Sequence, residues 1–207
     1  MKVLIACEES GTVRNAFRKK GHDAYSCDIL PNDSKYHIQD DVFNVLYEKW
    51  DMMIAHPPCT YLSNAGIRWF NEEKFGDKAV KRKLQRLNAM EFVNKLYESG
   101  IPKICIENPV GYLNNHWKKP DQVIQPYFFG DTESKRTCLW LKNLPILIHT
   151  NIVKPKIHSY LKSGKNKGKP IYFSDSHAPT DDRGKLRSKT FQGIAEAMAN
   201  QWGGKNE

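Results

Sequence analysis

The feature that most constrains the fold is a series of short apolar runs, each stopping on a polar residue. Residues 2–7, KVLIAC, end at Glu8-Glu9-Ser10-Gly11, and a run over 23–27 ends at Asp28. Met52–Ala55 leads into His56-Pro57-Pro58-Cys59, and residues 102–106, PKICI, end at Glu107-Asn108. Runs this short and this apolar read as buried strands. Between them lie helical periods. A helix is predicted over 12–20, with Val13, Ala16 and Phe17 inward, Arg14, Arg18, Lys19 and Lys20 outward, and Gly21 as its stop. Val80, Leu84, Leu87, Met90, Val93 and Tyr97 recur every three or four residues and predict a helix over 78–98, closed by Ser99-Gly100. TCLWL at 137–141 reads as another strand. A last helix fits 189–202, with Phe191, Ile194, Met198 and Trp202 on one face and Gly203 after it. Strands alternating with helices predict an α/β fold, a mainly parallel sheet flanked by helices.

A chain of 207 residues suits one domain with a proper core. The expected division is an α/β core over 1–142, a small basic insert over 143–180, and a C-terminal helix over 181–207 that completes the core. No apolar run approaches the roughly 20 residues of a membrane span, and MKVLIA reads as a first strand, not as a signal peptide. The five cysteines include no CxxC pair, which argues against a disulfide framework and a structural zinc site. The expectation is a reduced, cytoplasmic monomer without metal.

The formal net charge is +9, and its distribution is informative. From Ser134 to Ser174 there is no acidic residue, while Lys135, Arg136, Lys142, Lys154, Lys156, Lys162, Lys165, Lys167 and Lys169 all fall there. A one-signed stretch interleaved with His158, Tyr160, Tyr172 and Phe173 suits a polyanion. A solvated loop made soluble by its lysines is the plainer reading.

In parallel sheets ligands bind beyond the carboxyl ends of the strands. That rule selects Glu8–Gly11, Asp28, Asp41, Pro58-Cys59 and Glu107-Asn108. The first turn has two carboxylates and a single glycine, which suits a ligand with an amine or sulfonium and no phosphate. Asp28 lies where an acid binds ribose hydroxyls, and Asp41 suits an adenine amino group. These residues therefore describe an adenosyl ligand without phosphates, such as S-adenosylmethionine, or else plain capping and solvation. Cys59 follows two prolines that restrict the backbone, so its thiol stands exposed as a nucleophile or serves packing. If the strands before Cys59 and Glu107 are neighbours, thiol and carboxyl face one pocket, an arrangement suited to covalent addition to an electron-poor ring. Residues Thr60–Gly66 read as a polar loop free to move. The other cysteines, apart from Cys7 in the first loop, read as packing residues.

The motif order ACEESG, CD, DDV, PPCT, IENP, KRT and SKTFQGIAEAMA resembles the cytosine-C5 DNA methyltransferase family, and within it the short members common in phage and prophage genomes. The resemblance runs over nearly the whole chain, and PPC at 57–59 and ENP at 107–109 are its most specific parts. It implies a Rossmann-like class I methyltransferase fold, a phage- or prophage-encoded protein, S-adenosyl-L-methionine as cofactor and DNA, single- or double-stranded, as partner. Cys59 would add to C6 of a base flipped from its stack. Glu107 would hold N3 and the exocyclic amine, and Arg136 would position the base. Ala6, Cys7, Glu8, Glu9, Ser10 and Gly11 would form the cofactor loop. Asp28 with Ile29, Asp41 with Val42, Pro58, and Arg187 with Ser188 would complete its site. Lys135, Lys154, Lys156, Lys162, Lys165, Lys167 and Lys169 would contact the nucleic acid. The family has asparagine where Arg187 stands. A cation there suits carboxy-S-adenosyl-L-methionine and transfer of a carboxymethyl group as the alternative. The basic insert is short for a target-recognition region, which implies short or relaxed sequence specificity. Two other readings are a non-catalytic DNA-binding protein on a degenerate methyltransferase fold, and a C5 methyltransferase acting on free nucleotide or RNA.

Overall fold

The computed structural model describes residues 1–172 and 189–204. In chain order the elements are β1 (Lys2–Ala6), α1 (Thr12–Lys19), β2 (Asp23–Asp28), β3 (His37–Gln39), α2 (Val42–Val45) and β4 (Met52–Ala55). A 3-10 helix (Asn64–Phe70), α3 (Glu72–Phe75), α4 (Asp77–Tyr97), β5 (Lys103–Pro109), α5 (Leu113–His116) and β6 (Gln122–Ile124) follow. After a 3-10 turn (Pro126–Phe128) come β7 (Thr137–Lys142), β8 (Ile157–Tyr160), β9 (Pro170–Tyr172) and α6 (Gln192–Trp202).

Seven strands form one sheet in the order β3-β2-β1-β4-β5-β7-β6. The strands from β3 to β5 pair in parallel, and β7 runs antiparallel to both its neighbours. The winding direction reverses between β1 and β4, which is where such a sheet opens a crevice at its carboxyl edge. This is the Rossmann-like α/β architecture expected from the sequence, a mainly parallel sheet with flanking helices.

Side chains alternate across the strands, so the sheet carries two cores. Val3, Ile5, Met52, Ile54, Cys105 and Leu139 face α1 and α6. Leu4, Met53, Ala55, Ile104, Ile106 and Trp140 face the second half of α4. On α6, Ile194, Met198 and Trp202 are buried as their spacing predicts.

Four expectations change. Arg14 is buried rather than outward, because its guanidinium reaches under α1 to donate to Ser26 Oγ at 2.7 Å. On α4, Val93 and Tyr97 are buried, but Val80, Leu84 and Leu87 are about half exposed. A helix of 21 residues is roughly 30 Å long, whereas a four-residue strand such as β4 spans about 13 Å, so the first half of the helix overruns the sheet. β5 continues past Glu107 to Pro109 because β7 supplies a partner there, Asn108 opposite Cys138 and Pro109 opposite Thr137. The basic stretch contains an antiparallel hairpin, β8 with β9, and Lys162, Lys165, Lys167 and Lys169 lie in the connection between them. Before that hairpin, residues 143–153 lie along the core. Leu147 exchanges two hydrogen bonds with the Gln122 side chain, Ile148 does the same with Gln201, and the Trp202 indole donates to the Pro145 carbonyl.

Candidate active site

β4 and β5 are adjacent and in register, Ala55 opposite Ile106, so the chain emerging at His56 and the side chain of Glu107 share one edge. The two motifs are also bonded directly. Asn108 is buried, and its amide donates to the Pro57 carbonyl at 2.8 Å. Pro57 is buried while Pro58 and Cys59 are exposed, so the anchored turn projects the thiol outward. Cys59 is in no disulfide. Its carbonyl accepts from the Leu62 and Ser63 amides and closes the turn behind it. The following loop, expected to be free to move, is tied down at its start. Leu62 is buried, its carbonyl accepts from the Tyr112 amide at 2.7 Å, and a Cβ on Gly111 would lie 2.1 Å from that carbonyl. Arg82 and Arg86 of α4 donate to the Thr60 and Tyr61 carbonyls.

Glu107 is not alone at its strand end. Its Oε2 lies 2.9 Å from His56 Nδ1, with both side chains about 10% exposed. Thr190, just before α6, donates to the same oxygen at 3.2 Å and lies 3.4 Å from His56 Nδ1. Burial pushes the Glu107 carboxyl up, but the His56 charge and hydrogen bond, the Lys135 ammonium and the Thr190 hydroxyl outweigh it and hold the group at about 2. Burial likewise pulls His56 down, and the Glu107 and Glu8 carboxylates outweigh that and raise it above its ordinary value. Glu107 is therefore ionised at neutral pH, and its charge favours the protonated form of His56. His56 Nε2 is buried with no hydrogen-bond partner among the described residues.

His56 and Thr190 are the residues that sequence reasoning missed. The strand-end rule selects His56 as readily as Cys59; Thr190 lies far along the chain and carries no signal of its own. Lys135 and Arg136 also divide in a way the sequence did not specify. The charge of Lys135 bears on Glu107 and His56, whereas exposed Arg136 bears on Cys138 instead.

At the end of β1, Cys7 adopts a left-handed backbone conformation, φ 58°, which a non-glycine residue seldom takes. Burial raises its thiol pKa, and the Asp28 and Asp41 carboxylates add to the effect, so both acids lie around the tip of β1. Asp28 Oδ1 accepts from the Leu30 amide, and Ile29 beside it is 72% exposed. Asp41 caps α2 by accepting from the Phe43 amide. The side chain of Val42 belongs to the core. Glu8 is buried and accepts from the Val13 and Arg14 amides. It caps α1, so the amine or sulfonium role expected for it gives way to a structural one. Ser10 bonds within the same turn, to Glu8 and Thr12, while the backbone carbonyl of Glu9 accepts from Asn32. Ala6 is buried, and Gly11 takes a positive φ with Arg14 packed against it.

An open cleft of about 640 Å³ adjoins the thiol-bearing turn, lined by Thr60, Trp69, Phe75, Lys78, Lys81 and Arg82 among others. Guanidinium groups of α4 stack on aromatic rings outside that lining, Arg86 over Phe70 at 3.2 Å and Arg82 over Tyr61 at 4.9 Å. Lys154, Lys156, Lys162, Lys165, Lys167 and Lys169 are all exposed. Arg187, Ser188 and Phe173 lie outside the described residues. Among the described residues no group of three or more His, Cys, Asp or Glu side chains is arranged to hold a metal ion, and no helix is long and apolar enough to cross a membrane.

No protein-family model and no curated protein sequence matches the chain. Among solved structures, it is similar to the crystal structure of a triple mutant of DNMT2 from Spodoptera frugiperda. That similarity has 14% identity and a TM-score of 0.42, and it covers 75% of this chain. The chain spans 57% of the length of that protein.

Proposed function

We propose that this protein transfers a methyl group from S-adenosylmethionine to C5 of cytosine in DNA, through a covalent bond between Cys59 and C6. The observation that carries this reading is the shared edge of β4 and β5. There the Asn108–Pro57 hydrogen bond ties the turn that carries an exposed thiol to the strand end that carries a buried, ionised carboxylate. A binding protein needs neither group; addition of a nucleophile across a pyrimidine ring needs both.

The cofactor reading has its own support. Glu8 occupies the N-terminal amides of α1, the position that would otherwise hold a phosphate. The turn therefore fits a nucleoside without phosphates. Asp28 and Asp41 stand at the tip of β1 for ribose hydroxyls and the adenine amine, and exposed Ile29 offers an apolar wall to the adenine. S-adenosylmethionine bound there supplies the electrophilic methyl group. The protein's own residues do the rest. Cys59 adds to C6, Glu107 binds N3 and the exocyclic amine, and Arg136 helps hold the base. After transfer, loss of the C5 proton to a base lets Cys59 leave. The substrate is a polymer because a mononucleotide gains little from a basic cleft and a lysine-bearing hairpin. The target base leaves its stack, since C6 is out of reach inside a duplex.

The test is incubation with S-adenosylmethionine and oligonucleotides carrying 5-fluorocytosine, single- and double-stranded, DNA and RNA. A complex that survives denaturing electrophoresis with DNA, and is lost in Cys59→Ser, is expected. Mass analysis of the nucleosides identifies the transferred group. Absence of both adduct and methylated cytosine on every substrate would overturn the reading; product on RNA alone would replace its substrate.

A further inference from the structure

The geometry points to His56 as the proton reservoir of the site, a positioning residue that acts through Glu107. This inference rests on the reading of the site as a C5 methyltransferase. The problem it answers is chemical. Addition of sulfur to C6 moves the C5–C6 π electrons toward N3, and the adduct is stabilised only if N3 takes up a proton. An ionised carboxylate has none to give. Glu107 is ionised here, with Oε2 hydrogen-bonded to both His56 Nδ1 and Thr190 Oγ1. The nearest proton that can move is the one on His56 Nδ1, 2.9 Å away.

The step balances without another reactant. The Cys59 thiolate forms the S–C6 bond. The displaced π pair is taken up at N3 by a proton that passes from His56 Nδ1 to the Glu107 carboxylate and from Glu107 to N3, so that Glu107 ends ionised as it began and the imidazole is left neutral. When the C5 proton and the sulfur depart, N3 regains its lone pair. Its proton returns through Glu107 to His56, so the reservoir is restored within one turnover.

The placement is a property of the sheet, not of one contact. Alternation along β4 and β5 puts Ile54 and Cys105 on the α1 and α6 face, and His56 and Glu107, two residues further on, fall on that same face. The turn after β1 contributes the Glu8 carboxylate and the residues before β7 contribute the Lys135 ammonium; both charges bear on the imidazole. From α6 the group that faces it is the neutral Thr190 hydroxyl. Two carboxylates against one ammonium favour the imidazolium, and burial keeps water from exchanging the proton freely.

Two measurements test this. Nitrogen NMR of the His56 ring in the unmodified protein requires no catalysis. A doubly protonated ring persisting above the ordinary histidine range, and losing its proton at lower pH in Glu107→Gln, is expected; a neutral ring at pH 6 would overturn the inference. The second is the single-turnover rate of adduct formation with 5-fluorocytosine DNA. His56→Asn retains a donor near the Nδ1 position but no transferable proton. It should lower the rate at least tenfold and flatten its dependence on pH, with DNA affinity within twofold of the parent. A parental rate and pH profile in His56→Asn would overturn the reservoir while leaving the methyltransferase reading intact. No adduct in the parent protein would remove the reading and the reservoir together, even with a protonated His56.

Discussion

Replacing Asn108 by alanine should uncouple the turn that carries Cys59 from the sheet. The Asn108 amide donates to the Pro57 carbonyl at 2.8 Å, and both residues are buried. Alanine leaves that carbonyl without its partner, an effect of about 1–3 kcal/mol. Asn108 Oδ1 is itself buried with no partner among the described residues, so its removal offsets part of the loss. We expect a net destabilisation of about 1–2 kcal/mol. In a chain of 207 residues, that is a fall in Tm of roughly 2–8 °C. The same change frees the turn that presents Cys59, so thiol alkylation and 5-fluorocytosine adduct formation should both change rate. Asn108→Asp separates geometry from volume. Its carboxylate cannot donate to the carbonyl and lies one residue from Glu107. It should be more destabilised than alanine near neutral pH and recover on acidification, as the protonated group regains a donor. Urea unfolding at several pH values, beside alkylation of Cys59, measures all of this. An alanine variant of unchanged stability and unchanged Cys59 reactivity would refute the coupling.

Gly111→Ala should destabilise by about 1–3 kcal/mol, read by urea unfolding, because its Cβ would meet the Leu62 carbonyl at 2.1 Å. Gly193→Ala should do at least as much, its Cβ lying 1.9 Å from the Phe129 carbonyl. The buried pair sets a pH window. Glu107 titrates at about 2 against an ordinary 4.5, so its contribution is complete above 4.5 and is lost as pH falls through about 2. His56 is raised, so its contribution is complete below 6.5 and is lost as pH rises through the value it has in the fold. Stability against pH in Glu107→Gln should therefore lose both limbs, as thermal melts across pH would record. Reversing Lys162, Lys165 and Lys167 to glutamate should weaken nucleic-acid binding. On a duplex it should also reduce the salt slope by about 0.9 for each phosphate that these lysines neutralise. An unchanged slope in a salt titration would remove the hairpin from the interface.

Much of the fold was legible because burial on both faces of a parallel sheet leaves an apolar run in the chain. β1, β2 and β4 fall where those runs lie, and the polar residue after each run marks the carboxyl edge of the sheet. Cys59 and Glu107 were both selected by that rule. The α4 stripe misled because periodicity reports an apolar face, not what covers it, and half of that helix extends beyond the strands. Arg14 misled because a long side chain can turn back under its own helix. The role of Glu8 was underdetermined. A buried carboxylate after a strand serves a ligand or a helix end, and only the positions of the Val13 and Arg14 amides distinguish them.

By itself the sequence determined the local chemistry: strands of a given length, two prolines before a thiol, a carboxylate after a buried run, and an excess of lysine in one segment. Those follow from covalent order and from which side chains leave water. The tertiary structure decided which of these groups meet. Strand order made β4 and β5 neighbours, the reversal of β7 extended β5 through Asn108, and α6 returned Thr190 to a strand end 83 residues earlier in the chain. Contact between residues so far apart depends on the packing of whole elements, which no local pattern encodes. So His56, set immediately before the two prolines that lead to the thiol, acquired its partner only when the sheet closed.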